Sequence, residues 1–146
     1  RKNGICSNMK YRILPRPNYQ SKHNLNYWQQ GEYYAFGVSA HRYIKPFRSS
    51  NWQSLTKYLD DYLADETSEL IDINTAKTEA IMLGLRLTEG INLQKFRQTY
   101  NTDLLVTHKK VIDKLIEANF LALTGNHLRL TGLSRPVANT VIAELL

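Results

Sequence analysis

Residues 121–130 read Leu-Ala-Leu-Thr-Gly-Asn-His-Leu-Arg-Leu, and no other stretch restricts the fold so tightly. Alternating leucines on both sides of a Gly125-Asn126 turn specify an antiparallel hairpin. A two-residue turn pairs Thr124 with His127, Leu123 with Leu128 and Leu121 with Leu130. That register puts all four leucines on one face. Such a face needs a cover, and the flanking sequence supplies helices. Residues 76–87, with Ala80, Ile81, Met82, Leu83 and Leu85, predict a helix that is apolar on most sides and therefore buried. Asn92 is suited to cap a short helix in which Leu93, Phe96 and Tyr100 share a face. Thr107 is expected to cap the next helix, where Val111, Ile112, Leu115 and Ile116 form a stripe. Asn119 suits a left-handed stop. A last helix opens near Pro136 and buries Val137, Val141, Ile142 and Leu145. Helix, helix, helix, hairpin, helix is the order of a winged-helix-like domain, expected over residues 75–146.

The first half is less regular. Pro15, Pro17, Asn18 and Asn24 mark residues 1–30 as irregular. Residues 33–40, aromatic and small, read as a buried strand, with Gly37 where a side chain would hinder close approach. Residues 46–51 read as a connection. Leu55, Tyr58, Leu59, Tyr62 and Leu63 recur at helical spacing, and the acidic stretch from Asp60 to Asp72 reads as a linker. Residues 49–74 are thus expected to be a helix and a linker between two parts. No apolar run is long enough to cross a bilayer. The start, Arg1-Lys2-Asn3-Gly4, has neither the apolar core of a signal peptide nor an initiator Met, so a piece of a longer chain is expected. Cys6, the single cysteine, excludes an internal disulfide and a Cys-rich metal site within these residues. A reducing, cytoplasmic setting is the matching expectation.

The net charge of +6 is unevenly spread. Residues 1–58 hold ten Lys/Arg against Glu32 alone, and residues 59–146 hold nine against twelve acids. Eleven of the fifteen aromatic residues also lie between Tyr11 and Tyr58. Cations interleaved with rings suit a flat, anionic, partly apolar partner, either nucleic acid or a porphyrin with carboxylate arms. A solvated basic face over a tyrosine-rich core edge explains the same composition. The charge count disfavours nucleic acid. Residues 108–119, the reading helix of a winged helix, carry His108, Lys109, Lys110 and Lys114 but also Asp113 and Glu117. Residues 78–146 hold eight cations against six acids, and the hairpin turn has none at its tip.

The chemistry concentrates in Ser21-Lys22-His23-Asn24-Leu25-Asn26-Tyr27-Trp28. A histidine among aromatics is commonly a hydrogen-bonded structural residue. The same set also matches what a metalloporphyrin needs. Neutral imidazole is an axial ligand for haem iron, which makes His23 the candidate metal ligand. The rings of Tyr27 and Trp28 suit packing on a macrocycle. Lys22 and Arg16 offer cations for propionates, and Asn24 a hydrogen bond to imidazole or carboxylate. His41 ends the small-residue segment, where it either faces a site or caps the strand.

Three runs in order, H-N-L-N-Y-W at 23–28, G-E-Y-Y-A-F-G-V-S-A-H at 31–41 and M-L-G-L-R-L-T-E-G-I at 82–91, carry a family resemblance. From about Tyr11 to Leu146 the chain resembles the C-terminal half of the radical S-adenosylmethionine family of oxygen-independent coproporphyrinogen III oxidase-like proteins. His23, Asn24, Tyr27 and Trp28 match the His-Asn-x-x-Tyr-Trp motif of that family's haem chaperone branch, associated with haem binding. The resemblance implies an α+β fold: residues 1–48 as the tail of a partial (β/α) barrel, then a mostly helical, winged-helix-like C-terminal domain. Gly37 and Ala40 resemble the small-residue strand end near the family's S-adenosylmethionine site, and tight packing explains them equally. The family's C-x-x-x-C-x-x-C cluster motif is absent, and its Tyr-Glu-Ile-Ser-Asn segment appears as Tyr11-Arg12-Ile13-Leu14-Pro15. These residues alone are therefore assigned no catalytic group. The parent is expected to use an iron–sulfur cluster and S-adenosylmethionine on an N-terminal barrel. The implied function is haem binding and delivery to an apoprotein acceptor. The alternatives are coproporphyrinogen III oxidation by the parent chain, and a regulatory winged-helix nucleic-acid-binding module.

Overall fold

The computed structural model describes residues 22–146, with side chains from Asn24 onward. Cys6, Arg16 and the Tyr11–Pro15 segment lie outside the described residues, as do the side chains of Lys22 and His23. The architecture is mixed helix and sheet, α+β. Residues His23–Leu83 form one compact unit, and Gly84–Leu146 make up the described bulk of a second.

The first unit holds helix α1 (Lys22–Trp28) from His23 on, strands β1 (His41–Ile44) and β2 (Phe47–Asn51), helix α2 (Leu55–Asp60), strand β3 (Asp65–Leu70) and nearly all of helix α3 (Ile73–Gly84). Its sheet is antiparallel, in the order β1-β2-β3. Several expectations change here. Residues 33–40 are not a strand: only Tyr33 bridges to Tyr43, and Phe36 is 87% exposed. Gly37 and Ser39 both take positive φ, which turns the chain where an aromatic strand was expected. Residues 46–51 are not a plain connection, because 47–51 form the central strand. The acidic stretch is not simply a linker, since 65–70 pair with β2. Polar strands lack apolar alternation, so periodicity does not announce them. Cross-strand partners hold these two: Arg42 on Asp65 and Ser49, Ser50 on Thr67 at 2.7 Å, and Arg48 near Glu69. Helix α2 is present but has no buried residue. Asp72 caps α3: its carboxylate accepts from the Asn74 and Thr75 amides and the Thr75 hydroxyl.

The second unit continues with β4 (Ile91–Asn92), α4 (Leu93–Tyr100), α5 (Leu104–Thr107), α6 (Lys109–Glu117), β5 (Leu121–Thr124), β6 (His127–Leu130), a short 3-10 turn at Arg135–Val137 and α7 (Ala138–Ala143). The hairpin has the anticipated register, Leu121 opposite Leu130, Leu123 opposite Leu128 and Thr124 opposite His127. β4 adds a third strand beside β6. Leu121, Leu128 and Leu130 enter the core with Phe96, Leu104, Ile112, Leu115, Val141 and Ile142, whereas Leu123 at the tip stays half exposed. Asn92 caps α4 by accepting from the Lys95 amide at 2.9 Å. Asn119 takes a left-handed φ of 59° after α6. Thr107 does not cap α6. It closes α5, bonding back to the Asp103 carbonyl, and Asp103 is the residue whose side chain caps that turn. Val137 is not in the core; it sits in the 3-10 turn, 44% exposed.

Candidate functional site on helix α1

The run at 22–28 forms a seven-residue helix where the turn formers suggested irregular chain. A helix this short is not stable by itself, so its orientation comes from side contacts. The chain leaves α1 through Gln30, at φ 53°, and the Gly31 amide donates back to the Asn26 carbonyl at 2.8 Å. The Asn26 amide group donates to the Glu32 carbonyl at 2.9 Å and fills the space beside Gly31. A Cβ at Gly31 would stand 1.9 Å from Asn26 Oδ1, so a side chain there would displace Asn26 from its bond to Glu32. Glu32 then accepts from the Lys45 amide, and Gln30 donates to the Ala76 carbonyl on α3.

Aromatic contacts finish the anchoring. The Tyr27 ring meets Tyr33 edge-on, with centroids 4.3 Å apart. Tyr33 pairs backbone to backbone with Tyr43, and their rings are 6.4 Å apart. Arg48 lies over the Tyr43 ring at 5.7 Å and grips both carboxylate oxygens of Glu79 at 3.0 and 2.8 Å. Burial, first, holds the Tyr33 and Tyr43 hydroxyls above the usual tyrosine range; Glu79 adds to this and Arg48 opposes it. Both are neutral hydroxyls at physiological pH. The Glu79 hydrogen bond raises the Arg48 guanidinium further.

Positions 23 and 27 lie one turn apart on α1, as do 24 and 28. Asn24 is exposed, Tyr27 is 38% exposed and Trp28 is half-buried. Lys22 and His23 belong to the same helix by backbone. The helix therefore gathers five of the expected site residues. Gly37 and Ala40 belong to a different turn. The Gly37 amide donates to the Tyr58 hydroxyl, its carbonyl accepts from Asn51 Nδ2, and the Ala40 carbonyl accepts from the Asn51 amide. A Cβ on Gly37 would meet nothing within 4 Å. Its φ of 94°, not close approach, is what calls for glycine there. His41 opens β1 opposite Ser50 and is exposed.

Asn26, Gly31, Tyr33, Arg48 and Glu79 carry the anchoring and were missed by motif reading. The one sequence signal is Asn26 lying five residues before Gly31. The basic surplus also looks different in three dimensions. Arg42 pairs with Asp65 and Arg48 with Glu79, so acids of the 59–83 stretch neutralise cations of the first half. Residues 23–83 hold five Lys/Arg against eight Asp/Glu.

Among the described residues no three His, Cys, Asp or Glu side chains gather to hold a metal ion, and no helix is long and apolar enough to cross a membrane. The donor set on α1, an amide, partly open rings and an imidazole position, fits a porphyrin contact. It does not fit an iron–sulfur cluster, for which one cysteine in the chain is too few thiolates.

Residues 74–137 match the family model for the HemN C-terminal domain, so the chain carries a domain of that class. Over most of its length it is also similar to curated haem chaperones. The Heme chaperone HemW of Bacillus subtilis is 30% identical over 132 residues, covering 87% of this chain and 35% of that protein. The Heme chaperone HemW of Lactococcus lactis is 26% identical over 132 residues, covering 89% and 35%. A radical S-adenosyl methionine domain-containing protein 1 of Dictyostelium discoideum, described as mitochondrial, is 26% identical over 158 residues, covering 88% and 35%. The solved coproporphyrinogen III oxidase HemN of Escherichia coli, described as a radical SAM enzyme, shares the fold with a TM-score of 0.60 at 12% identity, over 79% of this chain and 28% of that one. The resemblance carried by the three motifs therefore stands as a relationship to the HemN C-terminal domain and to proteins curated as haem chaperones. It spans about a third of the length of the curated relatives.

Proposed function

We propose that this chain supplies the haem-contacting part of a haem chaperone, with α1 as the contact segment and an apoprotein as the recipient. The observation that carries the reading is the packing of H-N-L-N-Y-W into one anchored helix on which Asn24 and part of Tyr27 are exposed to solvent. Similarity to proteins named haem chaperones supports it. In this reading the His23 imidazole would ligate the iron, Asn24 would bond a propionate or the imidazole, Tyr27 and Trp28 would give ring contact, and Lys22 would balance carboxylate charge. When bound, haem supplies the iron and the group to be delivered; these residues bind and orient it. The cluster and S-adenosylmethionine of the relatives' family belong in this scheme to a barrel of which residues 1–48 are the tail. Among the described residues none would meet a Cβ at Gly37, which is compatible with a cofactor lying there.

The likeness to a solved coproporphyrinogen III oxidase supports oxidase chemistry in a parent chain as the second reading. The helices α4–α6 with the three-stranded β4-β6-β5 sheet support a winged-helix-like description of the second unit. Nucleic-acid reading is disfavoured, because Lys109 and Lys114 on α6 are paired with Asp113 and Glu144.

Hemin titration of the full chain tests the proposal. A Soret band of histidine-ligated character is expected. His23→Ala removes that character, His127→Ala leaves it, and Trp28→Ala lowers affinity by about 1 kcal/mol or more through lost ring contact. An unchanged spectrum and affinity in His23→Ala would overturn the ligand assignment.

A further inference from the structure

We infer that Arg48, clamped by Glu79, is a positioning residue for α1, acting through the ring ladder Tyr43, Tyr33 and Tyr27. The inference deepens the haem-contact reading and rests on it for its functional meaning. A seven-residue helix has too few internal hydrogen bonds to hold its own direction. Tyr27 is its penultimate residue, one turn after position 23, so the angle of the Tyr27 ring is coupled to the face on which position 23 stands.

That ring angle is set from below. Tyr27 packs edge-on against Tyr33 at 4.3 Å. Tyr33 is fixed by two backbone hydrogen bonds to Tyr43, each 3.0 Å. Tyr43 is 6% exposed, and Arg48 stands over its ring. Arg48 Nη2 donates to both Glu79 carboxylate oxygens, which ties the end of the guanidinium to α3, while Nη1 lies 3.9 Å from Glu69. Glu79 lies one turn from Ala76 on α3, and the Ala76 carbonyl takes the Gln30 amide hydrogen from the exit of α1. One face of α3 therefore holds α1 twice, directly through Gln30 and through Arg48 and the ladder. The raised tyrosine pKa values agree with closely packed, neutral rings.

The test uses the full chain with two readouts. Amide exchange at residues 24–30, without hemin, reads the positioning. Glu79→Gln and Tyr33→Leu are each expected to speed it about tenfold, a change of about 1.4 kcal/mol in local opening. Tyr33→Phe, which keeps the ring, is expected to match the parent, and exchange across β2 and β3 is expected to hold in all three variants. Hemin spectra read the function. Glu79→Gln and Tyr33→Leu are expected to shift the Soret band and lower affinity several-fold with the unfolding midpoint unchanged, whereas Tyr33→Phe restores both. Unchanged exchange at 24–30 in Glu79→Gln and Tyr33→Leu would overturn the positioning role, whatever hemin does. Faster exchange with no hemin response in any variant or in His23→Ala would leave the ladder standing and remove the haem reading.

Discussion

Gly90→Ala is expected to be among the most damaging single-methyl changes in the second unit. Gly90 ends the turn between α3 and β4, its amide bonded to the Leu87 carbonyl, with φ at 79°. A Cβ there would stand 2.2 Å from the Leu128 carbonyl oxygen and 2.7 Å from the Arg129 Cα. Left-handed backbone costs alanine roughly 1–2 kcal/mol. The obstacle is β6 backbone, which cannot swing aside as a side chain can, so the contact opens only if β4 moves off β6. That weakens the Ile91–Leu128 and Asn92–His127 pairing, worth on the order of 1–2 kcal/mol. It also exposes part of Ile91, now 5% exposed, for about 1 kcal/mol more. The sum is about 4 kcal/mol, a large share of an ordinary domain's stability. Two other glycines separate the causes. Gly125 has φ 56° and open space at its Cβ, so Gly125→Ala costs only the torsional part, roughly 1–2 kcal/mol. Gly132 has open space and no positive φ, so Gly132→Ala is near neutral. Urea unfolding followed by circular dichroism ranks the three, and amide exchange at 121–130 localises the loss. Gly90→Ala and Gly125→Ala falling within about 1 kcal/mol of each other would refute the steric argument, since torsion alone would then explain both.

Leu128 on β6 is fully buried, so Leu128→Ala is expected to cost about 2–5 kcal/mol in the same urea titration. Asn92→Ala removes the acceptor for the Lys95 amide and is expected to cost about 1 kcal/mol, with Asn92→Asp retaining most of it. Hydrogen bonds from the Thr75 hydroxyl, then the Thr75 and Asn74 amides, hold the Asp72 carboxyl below its usual value of 3.8. A depressed folded-state pKa means stability present above the unfolded value and lost as pH falls through the folded one. Carbon-detected NMR titration should place the Asp72 midpoint below 3.8, and Thr75→Val should move it back toward that value.

The motif residues and the hairpin were legible because both are local. In Leu121–Leu130, turn chemistry and alternation agree, and the register follows from counting. Asn92 and Asn119 were legible for the same reason: a cap and a left-handed stop are properties of a few consecutive residues. The gathering of Asn24, Tyr27 and Trp28 follows from adjacency, but their helical state does not. Tertiary anchors create it, through Asn26 against Gly31, Tyr27 on Tyr33 and Gln30 on α3. Likewise Phe-Arg-Ser-Ser-Asn and Asp-Glu-Thr-Ser-Glu-Leu carry no strand pattern of their own. They become strands because Arg42, Arg48 and Ser50 find Asp65, Glu69 and Thr67 across the sheet. Tyr33–Ala40 carries a strand composition yet turns at Gly37 and Ser39. Local sequence thus determined the elements whose stabilising partners lie within a few residues. Tertiary structure decided those whose partners are charges and rings distant in sequence, because such pairings do not exist until the chain has brought them together.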